Sequence, residues 1–248
     1  MKLKCIATGS TGNCYTLTSS NGETLLLDCG VPISEIKKGL DWNIKNVVGC
    51  VVTHQHGDHS KSVYDLRKIG IKVATPYLSN DVYSLVRLYF DHTRFRVIAF
   101  ELTTKDGKWT HTNADGSECP CYGYVISHPE MGKLLYVTDT EFVKWRFDDL
   151  NHILLGVDYD KNMVDMNNPA KASHVLRGHM SIDTACKFVK ANYSQDDVQN
   201  VIMCHLSGEN ADKDNFIEQM KKVAIQSNVD VADPCKEWEL HNPSVAPF

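Results

Sequence analysis

The stretch VVTHQHGDHS, Val51 to Ser60, sets His54, His56, Asp58 and His59 within six positions directly behind an apolar run. That run, NVVGCVVT, reads as a strand, and strand side chains alternate, so His54 and His56 point to one side where the strand gives way to a loop. Gly57 then permits a sharp turn, and Asp58 and His59, at the head of the next helix, face back toward a second point nearby. Imidazole nitrogens and carboxylate oxygens are the ligands that zinc and similar divalent ions accept, and a catalytic site needs several of them with a position left open for water. A polar surface loop is the bland alternative. Four potential ligands in six residues behind a buried strand favour metal binding over it.

Outward from this stretch the chain alternates β-rich and helical patterns. Short runs LKCIA, CYTLTSS and TLLLDCG are separated by TGSTGN and SNG, which reads as an antiparallel start. Helix and strand then alternate: a helix from near Pro32, the strand before His54, helix SVYDLRKI, strand KVAT and helix NDVYSLVRLY. Strands RVIAFEL, CYGYVIS and KLLYVTDT follow, the last two joined by the turn HPEMG; the end of the chain adds strand HILLGV, helix SIDTACKFVKAN, strand NVIMCHL, a helix from about Asp212 to Gln226, and strands NVDVAD and KEWEL. No repeat, low-complexity linker or break in composition divides these, so one domain over residues 1–248 is the simplest reading. Strands in both halves with helices between and after them imply two sheets packed together under outer helices.

The chain of 248 residues can bury a substantial core, and with 42% hydrophobic and 23% charged residues its composition is that of a globular protein. No apolar run approaches the ~18 residues of a membrane span, and MKLKCIATGS carries no signal-peptide core, so a cytoplasmic location is expected. Nine cysteines at irregular spacing, several inside apolar runs, are packed thiols and not a disulfide framework. A formal net charge of −5 speaks against a broad electrostatic grip on a nucleic-acid backbone, although bound divalent metals offset much of it.

THQHGDH resembles the HxHxDH signature of the metallo-β-lactamase fold hydrolases, and further landmarks of that family appear in order. LLLDCG resembles the strand ending in a buried, orienting aspartate, here Asp28; YVTDT resembles the strand carrying the carboxylate that bridges two metals, here Asp139; CHLS resembles the last histidine ligand, here His205. The likeness runs from GSTGNCY to CHLSGENAD and implies an α/β fold, the four-layer αββα sandwich. The family needs one more histidine before Asp139, and both His111 and His128 are available. His128 begins HPEMG at the far end of the hairpin from Asp139, and a six-residue strand spans ~20 Å, too far for the two to share a metal. In the RNase Z-like branch a histidine stands shortly before YGY, and CYGY follows His111, which is therefore chosen, although HTNADGSECPCYGY is longer than the family spacing. Cys119 and Cys121 with either histidine are an alternative structural zinc site, weighed against plain packed thiols.

The resemblance implies a first metal held by His54, His56, His111 and Asp139, and a second held by Asp58, His59, Asp139 and His205. Zinc suits these ligands, with manganese or iron compatible with them. Two bridged cations acidify a shared water and clamp the reacting oxygens, and Asp58 can orient that water as a base. GHMS, Gly178 to Ser181, opens a helix with Ser181 as a cap. In RNase Z-like phosphodiesterases a GH[SLM][ST] element supplies a histidine that protonates the leaving oxygen, which makes His179 a catalytic acid here, against a capping or supporting role. GSTGN, GHMS and HLSGEN together resemble small bacterial and phage members of this branch, relatives of which are implicated as DNA exonucleases. GSTGN could offer amides to a phosphate or be a plain turn. Asp158, in GVDYDKNM, replaces the family's asparagine.

These readings converge on a binuclear metal-dependent phosphodiesterase, foremost a nuclease acting on DNA or RNA, without the long Gly/Pro-rich insertion that would form a tRNA-holding arm. A phosphodiesterase for small cyclic nucleotides, such as a phage enzyme removing host signals, is the runner-up, and the acidic charge suits it. A thioester or lactone hydrolase and a non-catalytic metal-binding module rank lower. The expected partners are a nucleic acid or cyclic nucleotide and no membrane. A homodimer through NDVYSLVRLYF is possible, although that stripe also fits a core.

Overall fold

The computed structural model describes residues 1–77, 88–89, 93–113, 115–167, 176, 178–194 and 197–244. Strands β1 (Lys2–Ala7), β2 (Cys14–Thr18), β3 (Thr24–Leu27), β4 (Val47–Val51), β5 (Val73–Ala74) and β13 (Glu237–Glu239) form one sheet in the order β13-β1-β2-β3-β4-β5. A second sheet, β12-β11-β10-β9-β8-β7-β6, contains β6 (Leu88–Tyr89), β7 (Arg96–Glu101), β8 (Tyr122–His128), β9 (Gly132–Val137), β10 (His152–Gly156), β11 (Asn200–Cys204) and β12 (Asn228–Val231).

Period-two alternation places the core. Leu25 and Leu27 of β3, Leu134 and Tyr136 of β9, and Ile202 and Cys204 of β11 turn inward and meet between the sheets. Their neighbours Leu26, Leu135, Val137, Val201 and Met203 face out, where each sheet needs a second cover. On the first sheet that cover comes from Ile36 of α1 (Ile33–Gly39) and from Val63 and Leu66 of α3 (Val63–Lys68). On the second it comes from Ile182, Ala185, Phe188 and Val189 of α4 (Ile182–Asn192) and from Phe216 and Met220 of α5 (Lys213–Lys221). The layers are therefore α, β, β, α, as the sequence implies.

Two local expectations change. The helix expected over NDVYSLVRLY lies outside the described residues except for its last two, which are strand β6, paired with Val97 and Arg96; pairing at a sheet edge outweighs the helical periodicity there. Helix α5 stops at Lys221 instead of Gln226, because the chain turns, with Ala224 buried in the outer core, to deliver β12.

Strand direction decides where function can sit. β3 runs parallel to β4, and β9, β10 and β11 run parallel to one another, so within each sheet these carboxyl ends lie together; β8, antiparallel to β9, begins where β9 ends. Asp28, His54, Asp139, Asp158 and His205 all follow such carboxyl ends, and His111 precedes β8.

Candidate metal centre

Three of those strand ends finish on a non-glycine residue in the left-handed region: Asp28 (φ 57°), Asp139 (φ 50°) and His205 (φ 57°). Each such residue costs on the order of 1 kcal/mol, and strain of this kind clusters where side chains must be aimed. Here it turns the three side chains off their strand axes and toward one edge of the sandwich.

Asp28 is the buried foundation. Its carboxylate accepts the Thr53 amide at 2.7 Å and the Tyr136 hydroxyl at 2.6 Å, and His59 Nδ1 lies 2.7 Å away. With Nδ1 so engaged, His59 presents Nε2 to Asp139 Oδ2 at 3.1 Å and to Asp58 Oδ2 at 3.4 Å. His205 mirrors this arrangement: Nδ1 is bound by Asp158 Oδ1 at 2.7 Å, while Nε2 lies 3.6 Å from Asp139 Oδ1 and 3.7 Å from Asp58 Oδ2. On the other side, His54 and His56, in the loop between β4 and the next helix, have ring centroids 4.7 Å apart, and His111 Nε2 is 3.0 Å from His56 Nδ1. His179 lies with its ring stacked on His205 and its Nδ1 3.1 Å from Asp158 Oδ1 and 3.5 Å from Asp139 Oδ1. All eight sequence-selected residues, His54, His56, Asp58, His59, His111, Asp139, His179 and His205, thus meet at this edge. His128 does not: it closes β8 at the opposite end, paired with Gly132.

The donor set suits divalent cations. Potential ligand atoms fall within 4.8 Å of one another in the groups His54/His56/His111, His54/His59/Asp139, Asp58/His59/His205 and Asp139/Asp158/His179/His205. Nε2 of His54 and Nε2 of His205 are buried without a hydrogen-bond partner, which is costly for a protein alone and is relieved when a cation takes a lone pair at the centre; His111 turns Nδ1 to Gly178 and leaves Nε2, beside His56 Nδ1, to ligate. Burial holds His54 well below the usual imidazole range and His111 down to about 4, so both are neutral, the form that ligates. His59 and His205 are buried too, but Asp139, with Asp28 at His59 and Asp158 and Asp58 at His205, outweighs burial and raises both, His205 to about 10. The carboxyls of Asp58 and Asp139 resist their burial through those same histidines and stay ionised.

Backbone packing fixes the loops. Gly57 opens the short helix α2 (Gly57–Ser60) without a left-handed φ, and a Cβ there would meet nothing within 4 Å, so the sharp turn expected of it is not what the loop uses. The required glycine is Gly30, where a Cβ would fall 1.6 Å from the Asp58 carbonyl oxygen. GSTGN is a turn fastened to the same loop: the Gly9 amide donates to Asn13 Oδ1, the Gly12 amide to Gly9 O, and the Asn13 amide to Asp58 O at 2.7 Å. Cys119 and Cys121 are buried free thiols outside every ligand grouping among the described residues, and Cys121 Sγ donates to the Asp139 carbonyl at 3.5 Å. Asp158, which in the sequence only replaces the family's asparagine, is set beside His205 by the β10–β11 register, Gly156 opposite Cys204. A carboxylate just past a buried strand end was the available signal.

Comparison with known proteins places this edge in context. The family description "metallo-beta-lactamase superfamily" matches residues 7–152. A ribonuclease Z of Lachnospira eligens is 28% identical over 134 residues, 47% of this chain and 43% of its own length, so the chain matches less than half of that relative. Among solved structures, the metallo-beta-lactamase fold protein YhfI of Bacillus subtilis superposes with a TM-score of 0.67 at 14% identity, covering 96% of this chain and 98% of its own. The short form of human tRNase Z superposes with a TM-score of 0.57 at 14% identity, covering 97% and 99%. With the matched region spanning the histidine–aspartate loop, Asp28 and Asp139 on one continuous sandwich, the chain belongs to the metallo-beta-lactamase superfamily.

Proposed function

We propose that this protein is a binuclear metal-dependent phosphodiesterase, and foremost a nuclease. In this reading His54, His56 and His111 hold one ion, Asp58, His59 and His205 hold the other, and Asp139 stands between, with Oδ2 toward His59 and Oδ1 toward His205. Two divalent ions, zinc or alternatively manganese or iron, supply Lewis acidity and acidify water to near neutrality when bound. Asp58 turns Oδ2 toward His59 and His205 while 26% of its side chain stays exposed, which suits it to orient a water as a base.

The observation that carries the choice of a phosphodiester is His179. It stands beside both Asp139 and Asp158, is 17% exposed, and is raised in pKa: burial opposes its charge, but the Asp158 and Asp139 carboxylates prevail. An imidazole whose protonated form is favoured by neighbouring carboxylates suits a poor alkoxide leaving group, where a general acid is worth ~10²–10⁴ in rate. We assign the donated proton to Nε2, with Nδ1 turned to Asp158. The 28% identity to a ribonuclease Z supports the same class. Net charge −5 favours the second reading, a small cyclic nucleotide as substrate. Labelled single-stranded DNA, duplex DNA, RNA and 3′,5′-cyclic nucleotides assayed side by side separate the two: the nuclease reading expects turnover of a polymer, and turnover of cyclic nucleotides alone would replace it with the second.

A further inference from the structure

We propose that Trp109, Tyr122 and Trp145 form a ledge on which nucleobases stack, and that the adjoining site acts on a single-stranded nucleic acid; the second clause rests on the phosphodiesterase reading above. The three rings are tied to the ligand-bearing segments by a ring contact, hydrogen bonds and short stretches of chain. Trp109 lies two residues before His111, and its ring centroid is 5.6 Å from that of Tyr122. Tyr122 opens β8 and donates its amide at 3.0 Å to the carbonyl of Thr53, the residue before His54. Its partner across the sheet is Glu101, whose carbonyl accepts Trp145 Nε1 at 3.3 Å. Trp145 itself follows Asp139 by six residues along a segment pinned by Thr140 Oγ1 to Thr110 Oγ1 at 2.8 Å. The ledge therefore runs from the His54–His111 side of the centre outward along its rim.

Two features point to a ligand. Trp145 keeps 47% of its surface exposed while its indole N–H is fixed, so a large flat ring is held in place with one face under Lys144 and the rest open to solvent. Lys144 Nζ sits 4.9 Å from the centre of that ring and donates to Thr103 Oγ1 at 2.6 Å, which holds a cation at the ledge's edge. Flat apolar faces beside a fixed cation match a base next to a phosphate. Successive rings suit successive bases of one strand, whereas a cyclic mononucleotide has one base to offer. Stacking is tolerant of sequence because every base has a π-face, and Lys144 supplies beside the ring the local positive charge that a net charge of −5 does not provide.

The test compares metal-loaded wild type, W145A and W145F in binding of fluorescein-labelled oligothymidylate and oligouridylate, and in kcat/KM on those strands relative to bis-p-nitrophenyl phosphate. W145A is expected to weaken oligonucleotide binding about tenfold and to lower the oligonucleotide-to-small-ester ratio similarly, with W145F recovering most of both. Equal affinities in wild type and W145A, or equal losses on the strand and on the small ester, would overturn the ledge. Tight strand binding that W145A weakens, with no turnover of either substrate by the fully metallated wild type, would keep the ledge and discard the phosphodiesterase reading.

Discussion

Gly178 is the position where a single methyl group should do the most damage at the least cost to the rest of the fold. Its φ of +76° belongs to the left-handed region, its amide donates to Glu141 Oε1 at 3.1 Å, and a Cβ placed on it would lie 2.3 Å from His111 Nδ1. Ordinary contact begins near 3.4 Å, so in Gly178→Ala either His111 or the loop carrying His179 must retreat by about 1 Å. The alanine also carries the left-handed penalty of roughly 1–2 kcal/mol. A displacement of ~1 Å at a reacting centre costs on the order of 100-fold in rate. We therefore expect kcat on bis-p-nitrophenyl phosphate to fall about 100-fold, with cooperative unfolding retained at a lower melting temperature. Gly57→Ala is the matched control, in the same edge of the molecule but with open space around it. A Gly178→Ala enzyme within threefold of wild type would show that the close approach to His111 does not set the site.

His179→Ala should slow turnover by ~10²–10⁴ while metal content stays at the wild-type level; loss of metal instead would make His179 a ligand and remove its role as acid. Asp158→Asn keeps an oxygen toward His205 but loses the charge, so metal affinity measured by chelator competition should weaken by roughly 10–100-fold, and unchanged affinity would leave Asp158 without the orienting role. Because the metal-free protein keeps His59 and His205 protonated at neutral pH, and a cation requires them neutral, metal uptake should release protons. The sign follows from raised values: affinity climbs as pH rises toward about 10, where His205 loses its proton unaided. Calorimetry in buffers of differing ionisation heat counts those protons, and a count of zero would contradict the pairing.

Much of the site was legible because its residues are short-range. His54, His56, Asp58 and His59 fall within six positions between the end of β4 and the end of α2, and that spacing alone keeps them together, although β4 ends at Val51, before strand alternation could reach the first two. Asp139 and His205 were legible only through resemblance, since nothing local says that the ends of β9 and β11 flank the end of β10 at one edge of the sheet. Asp158 was underread for that reason: its partner is 47 residues away, joined through a strand register that one sequence does not display. The glycines show the same limit. Gly57 stands in the motif and does little, whereas Gly30 and Gly178 matter through what lies opposite them, Asp58 and His111. In the fold, buried alternating strands were plain, and the misread lengths fell where an edge pairing or a docking turn overrode helical pattern, at Leu88–Tyr89 and after Lys221.

The central claim is that these histidines and aspartates assemble a two-ion hydrolytic centre acting on phosphodiesters. Metal content of the purified protein, determined together with hydrolysis of bis-p-nitrophenyl phosphate on the same sample, tests it most directly. Two equivalents of divalent metal per chain and turnover that disappears on chelation and returns on reconstitution are the expected result. Full metal occupancy with no turnover would contradict it.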